Sequence, residues 1–163
     1  VSAREHLLAF TVHALPVAQG SKVAGRTKSG KAYVRESNAH ALHAWRQAVQ
    51  AEALAEAAGG KGDTVDLPLA LGPVALHATF TLPRPKSHYG TGRNARSLKP
   101  AAPWYVPTKP DVDKLVRAVC DALTGVAWRD DSQVASLRVA KVYGPRASLT
   151  VEVVALPHAE APS

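Results

Sequence analysis

A chain of 163 residues, 46% of them hydrophobic, suits one compact domain, and no apolar run approaches the roughly 20 residues a membrane span requires. The single cysteine, Cys120, excludes an internal disulfide and a cysteine-rich zinc site, and the opening VSAREHLLAF does not read as a secretory signal, so a cytoplasmic protein is expected. A net charge of +7 fits a polyanionic partner, nucleic acid first, as well as plain solubility.

In chain order, Leu7 to Val17 is rich in apolar and β-branched residues and predicts a strand. From Gln19 to Ser37, three glycines accompany Lys22, Arg26, Lys28, Lys31 and Arg35, which predicts a mobile basic loop able to close on a phosphate backbone. Leu42, Trp45, Val49 and Ala53 recur at helical spacing, predicting a helix over 38–58 with Asn38 as its cap and Gly59-Gly60 as its stop. Pro73 to Leu82 predicts a strand with Val74, Leu76, Ala78 and Phe80 on one face. Pro83 to Pro107 holds too many prolines and glycines for regular structure, and its length suggests function or disorder. A second helix is expected from Val112 to Leu123 after Pro110, with Val116, Val119, Cys120 and Leu123 as its apolar stripe and Gly125 as its stop. Gln133 to Tyr143 and Ala147 to Leu156, joined at Gly144-Pro145, read as an antiparallel hairpin. The fold class expected is therefore α/β with α+β character: one domain over 1–157, a mixed four-stranded sheet and two main helices in the order βαβαββ, followed by a frayed tail over 158–163.

The chemistry concentrates in 110–134. Between Arg84 and Arg117 lie Arg84, Lys86, Arg93, Arg96, Lys99, Lys109, Lys114 and Arg117, yet the only acids there are Asp111 and Asp113. A further pair, Asp130 and Asp131, precedes a predicted strand. Carboxylates gathered from separate elements are the usual protein ligands of magnesium, which can activate water and stabilise charge during phosphodiester hydrolysis. Residues two apart on a helix diverge by about 200°, so Asp111 and Asp113 can share a metal only if Asp111 precedes the helix. Clustered carboxylates also raise one another's pKa unless a cation or basic side chains compensate. The alternative for each pair is ordinary helix capping and turn chemistry. For Arg117 the alternative is surface pairing with Asp113 and Asp121, each four residues away. His40 and His43 lack a third ligand nearby, and Gly20, Lys22 and Gly25 lack the ending of a nucleotide-binding loop. Trp45 and Trp128 fit core positions, whereas Trp104 and Tyr105 suit either a loop anchor or a DNA contact.

The run KPDVDKLVRAVCDALTGVAWRDDSQV resembles the signature of the RusA endodeoxyribonucleases: Asp-x-Asp opening a helix, a basic residue one turn on, and Trp-x-Asp-Asp leading into a strand. FTVHALPVAQGSK is similar to the family's first strand and basic loop. The resemblance implies a homodimeric Holliday junction resolvase that uses Mg2+, or Mn2+ in its place, on four-way branched DNA. It implies Asp111, Asp113 and Asp131 as catalytic metal ligands, with Asp130 as a further ligand or neighbour, and Arg117 as a stabiliser of phosphate charge. The DNA backbone would be held by Lys22, Arg26, Lys28, Lys31, Arg84, Lys86, Arg93, Arg96, Lys109 and Lys114. Two positions depart from the family pattern: Lys114 stands where Asn is usual and Arg117 where Lys is usual, so a non-catalytic binder of branched DNA is the rival reading.

Overall fold

The computed structural model describes residues 5–59 and 64–157; Gly60 and the expected frayed tail lie outside the described residues. The chain runs β1 (His6–Val12), β2 (Lys22–Arg26), β3 (Ala32–Glu36), α1 (Ala39–Ala57), β4 (Val74–Pro83), α2 (Val112–Leu123), β5 (Val134–Gly144) and β6 (Ser148–Ala155). The main sheet is four-stranded and mixed, in the order β1-β6-β4-β5, with β5 parallel to β4 and the other pairs antiparallel. Both helices pack on the face built by Leu8, Phe10 and Val12, by Val74, Leu76, Ala78 and Phe80, and by Leu149, Val151 and Val153. The opposite face is mixed, with His77, Thr79, Thr150 and Glu152 beside Ala75 and Val154. There Glu152 accepts from or pairs with His77 at 2.9 Å and His6 at 3.0 Å.

The two helices follow their periodicity. All four residues that define the stripe of α1 are buried, and the Trp45 and Phe80 rings lie 6.5 Å apart across the helix–sheet boundary. Asn38 occupies the N-cap position but does not cap: its Nδ2 donates to the Ala18 carbonyl at 2.9 Å, tying α1 to the segment leaving β1. Gly59, at φ +59, ends the helix as expected. On α2 the buried arc is Leu115, Ala118, Val119, Ala122 and Leu123, whereas Val116 and Cys120 of the expected stripe are only half-buried. Contacts with both α1 and the sheet, rather than one apolar stripe, set that arc.

Three expectations change. The basic segment 19–37 is not a structureless loop: β2 and β3 form an antiparallel hairpin, a separate two-stranded sheet. β5 and β6 are not paired with each other, because β4 lies between them and the short connection after Gly144 straddles its C-terminal end. Gly144 is required there, since a Cβ would stand 2.4 Å from the Thr81 methyl. The proline-rich segment is ordered by 3-10 turns at Lys86–His88 and Gly92–Asn94 and by a bridge between Tyr89 and Leu98. It then joins the outer edge of β5, where Val106 N–H donates to the Lys141 carbonyl at 3.1 Å and Tyr143 N–H to the Trp104 carbonyl at 3.0 Å. Among the described residues no helix is long and apolar enough to cross a membrane.

Candidate active site

Asp111 is the residue before the first turn of α2, with extended backbone angles of φ −69° and ψ 133°, and its side chain does not cap the helix. Its carbonyl instead accepts from Leu115 N–H at 3.1 Å, which leaves the carboxylate, half-exposed, at the mouth of the helix. Asp111 thus precedes the helix, as sharing a ligand with Asp113 would require, and Asp113 is exposed in the first turn. Lys114 Nζ lies 3.1 Å from Asp111 Oδ2. That hydrogen bond and charge, with smaller contributions from Lys109 and Lys141, hold the Asp111 carboxyl below its ordinary range. Desolvation, the one opposing influence, is outweighed by the lysines, and the carboxylate repulsion expected from the sequence does not figure.

A cleft of about 500 Å³ opens beside this carboxylate. One wall is the segment leaving β1, residues 16–21; the other is Lys109 to Asp111 and Lys114. Gln19 N–H donates to the Lys114 carbonyl at 3.1 Å, and Asn38 holds the same segment from α1. Gly20 packs so closely on Asn38 that a Cβ would reach its Oδ1 at 2.0 Å. From the other side Lys141 of β5 donates to the carbonyls of Thr108 and Pro110, each at 2.6 Å. Sequence reading missed Lys141, which the strand VASLRVAKVYG does not single out, since Arg138 stands in it as well.

The second aspartate pair lies in the turn between α2 and β5, shaped by Gly125 at φ +87 and by the buried Trp128. Asp130 caps a 3-10 turn: its Oδ1 accepts from Ser132 N–H at 2.9 Å, and that bonding lowers its pKa. Gln133 completes the cap by accepting from the Arg129 and Asp130 amides at 2.8 and 3.2 Å, and its Nε2 donates to the Ala70 and Gly72 carbonyls. Asp131 is exposed and near α2, because its charge adds to burial in pushing the Cys120 thiol up to about 11. Among the described residues no three His, Cys, Asp or Glu side chains stand together as a metal-binding group, so the four aspartates are not drawn into one cluster. The donor chemistry nevertheless suits magnesium, which commonly takes one or two carboxylates and completes its shell with water and substrate phosphate.

Arg117 is exposed and, among the described residues, makes no ion pair; Asp121, one of its two anticipated partners, pairs with Arg46 of α1 instead. The remaining bases fall into separate groups. Lys22 and Arg26 lie on β2 and Lys28 and Lys31 in the hairpin turn, where Arg26 donates to the Gly30 carbonyl at 3.1 Å. Lys86, Arg93 and Arg96 project from the proline-rich segment, all exposed. Arg84 braces that segment, donating to the Pro103 carbonyl at 2.7 Å with its guanidinium 5.2 Å from the Tyr143 ring centre. Lys109 and Lys114 line the Asp111 cleft.

The family model described as endodeoxyribonuclease RusA matches residues 14–154, which include the cleft, both aspartate pairs, both helices and β2 to β6 up to Val154, and leave β1 outside. A Bacillus subtilis (strain 168) relative, described as the uncharacterized protein YqaN, is 31% identical over 152 residues, spanning 89% of this chain and 95% of the relative.

Proposed function

The chain belongs to the RusA endodeoxyribonuclease family, and from that membership we propose that it is a structure-selective endonuclease that resolves four-way DNA junctions by paired nicks. The observation that carries the reading to this site is Asp111, an ionised carboxylate at a helix mouth, bordered by a cleft and by Lys109, Lys114 and Lys141. Asp111 and Asp113 would hold Mg2+ or Mn2+, and Asp131, which does not stand in one group with them, would contribute its charge from the turn before β5. When bound, the ion would supply an activated water and charge stabilisation at the phosphate. Lys109 and Arg117 would hold the phosphodiester in register, while Lys114 neutralises the carboxylates between encounters with DNA. A homodimer matches the two-fold symmetry of the substrate and would present one cleft to each of two opposed strands.

A second reading, a non-catalytic binder of branched DNA, is favoured by the Asp111–Lys114 ion pair, which occupies an oxygen that a metal would use. The two separate in an assay of a labelled four-way junction with Mg2+, using linear duplex, EDTA and Asp113→Asn as controls. Symmetrical paired nicks that vanish with EDTA and with the substitution support the resolvase. Salt-sensitive binding without cutting supports the binder.

A further inference from the structure

The β2–β3 hairpin is isolated from the main sheet, and every described side chain from Ser21 to Arg35 is exposed except at Gly25. A two-stranded ribbon alone in water is marginal at best, and this one leaves Val23, Tyr33 and Val34 uncovered at 44%, 40% and 65% exposure. Such a ribbon is completed by a partner. From Gln19 to Ser37 there are five Lys or Arg residues against one acid, Glu36 at the end of β3, a balance that suits a polyanionic partner.

Register divides the ribbon into two faces. Val23 pairs with Arg35 and Gly25 with Tyr33, placing these four on one side. The Tyr33 ring lies across Gly25, where a Cβ would meet it at 2.6 Å, and the Arg35 guanidinium stands 5.9 Å from the ring centre. The result is a flat face with one aromatic ring, one apolar side chain and one arginine, and the glycine is what keeps it flat. Strands in a ribbon are about 4.8 Å apart, narrow enough for the major groove of duplex DNA, which is about 12 Å wide and admits a two-stranded ribbon.

Position ties the ribbon to the cleft. Both of its roots, Gly20-Ser21 and Asn38, line the cavity beside Asp111. Five strand residues extend about 17 Å, the rise of about five base pairs.

We propose that the β2–β3 ribbon enters the major groove of the duplex arm held at the Asp111 cleft and reads base pairs beside the cut, with Arg35 and Tyr33 at the base edges and Lys28 and Lys31 on the flanking phosphates. This rests on the resolvase reading for its substrate, but ribbon binding does not require cleavage. The ribbon thus makes sequence preference a property of the segment next to the active site.

The test measures binding of the full chain, in EDTA, to duplexes and four-way junctions with a randomised arm, alongside cleavage in Mg2+. Wild type is expected to select a base within about five pairs of the nick. Arg35→Ala should lower that selection about tenfold or more, the worth of one bidentate contact. Tyr33→Ala should weaken selection at a neighbouring pair, and Lys28→Ala should weaken all sequences alike and flatten the salt dependence. The side chains lie outside the core, so circular dichroism should be that of wild type. An unselective wild type overturns the proposal. So does selection unchanged in Arg35→Ala and Tyr33→Ala, or a Tyr33→Ala dimer that dissociates in sedimentation, which would make the ribbon a contact between copies. Selective binding without cutting would reject the resolvase reading and leave the ribbon reading standing.

Discussion

Lys141, on the outermost strand of the sheet, donates to the carbonyl of Pro110, the residue before Asp111, at 2.6 Å. A second bond, to the Thr108 carbonyl at 2.6 Å, makes this ammonium the clasp between the sheet edge and the turn that presents the candidate catalytic carboxylate. Its charge also helps keep Asp111 ionised.

Lys141→Met keeps the length of the aliphatic stem and removes both bonds. We expect a loss of about 1–3 kcal/mol in denaturant unfolding, the worth of hydrogen bonds to a charged group, together with weaker junction cleavage at equal occupancy of DNA. An unfolding midpoint equal to that of wild type would show that the clasp does not form in solution.

Asp130 and Asp131 are adjacent yet differently employed. Asp130 is engaged in its capping box, so Asp130→Ala should lower the thermal midpoint. Asp131 leaves its carboxylate exposed, and Asp131→Asn should reduce junction cleavage on the order of a hundredfold, as loss of a charge-stabilising group does. Calorimetry and single-turnover cleavage on both variants check the division; the opposite pattern would assign the metal role to Asp130.

Acid titration tests the lysine cluster around Asp111. A carboxyl depressed in the folded state contributes stability that is present above the ordinary aspartate range and is lost as pH falls through its lowered value. Lys114→Ala should move the Asp111 titration, followed by carboxyl 13C NMR, up toward the ordinary value. Lys114→Asn should also lower the magnesium concentration needed for half-maximal cutting, since the competing ammonium is gone. Higher magnesium demand in that variant would count Lys114 as part of the working site.

The Cys120 thiol, raised to about 11 by burial and then by the charges of Asp131 and Asp121, carries about one thiolate in a thousand at pH 8. Iodoacetamide should therefore label it slowly at that pH, and Asp131→Asn should shift the rate profile to lower pH. An unchanged profile would place Asp131 farther from α2.

Both helices, the inward faces of α1 and β4, and the aspartates flanking α2 were legible in the sequence because each depends on spacing within a few residues: Leu42, Trp45, Val49 and Ala53 for one helix, Pro110 and Gly125 as the limits of the other. Strand neighbours were not, because pairing is decided by what lies alongside in space. Alternation in 133–156 identifies two strands but cannot say that β4, fifty residues earlier, inserts between them. Basic side chains hid the β2–β3 hairpin, whose ladder is backbone hydrogen bonding without an apolar face turned to the core. The same distinction applies to the site. Sequence alone determined which carboxylates and bases are available; only the tertiary structure set Lys141 beneath Pro110, gave Asp130 to the turn, and left Asp111 among lysines, since each depends on long-range contacts that local spacing does not encode.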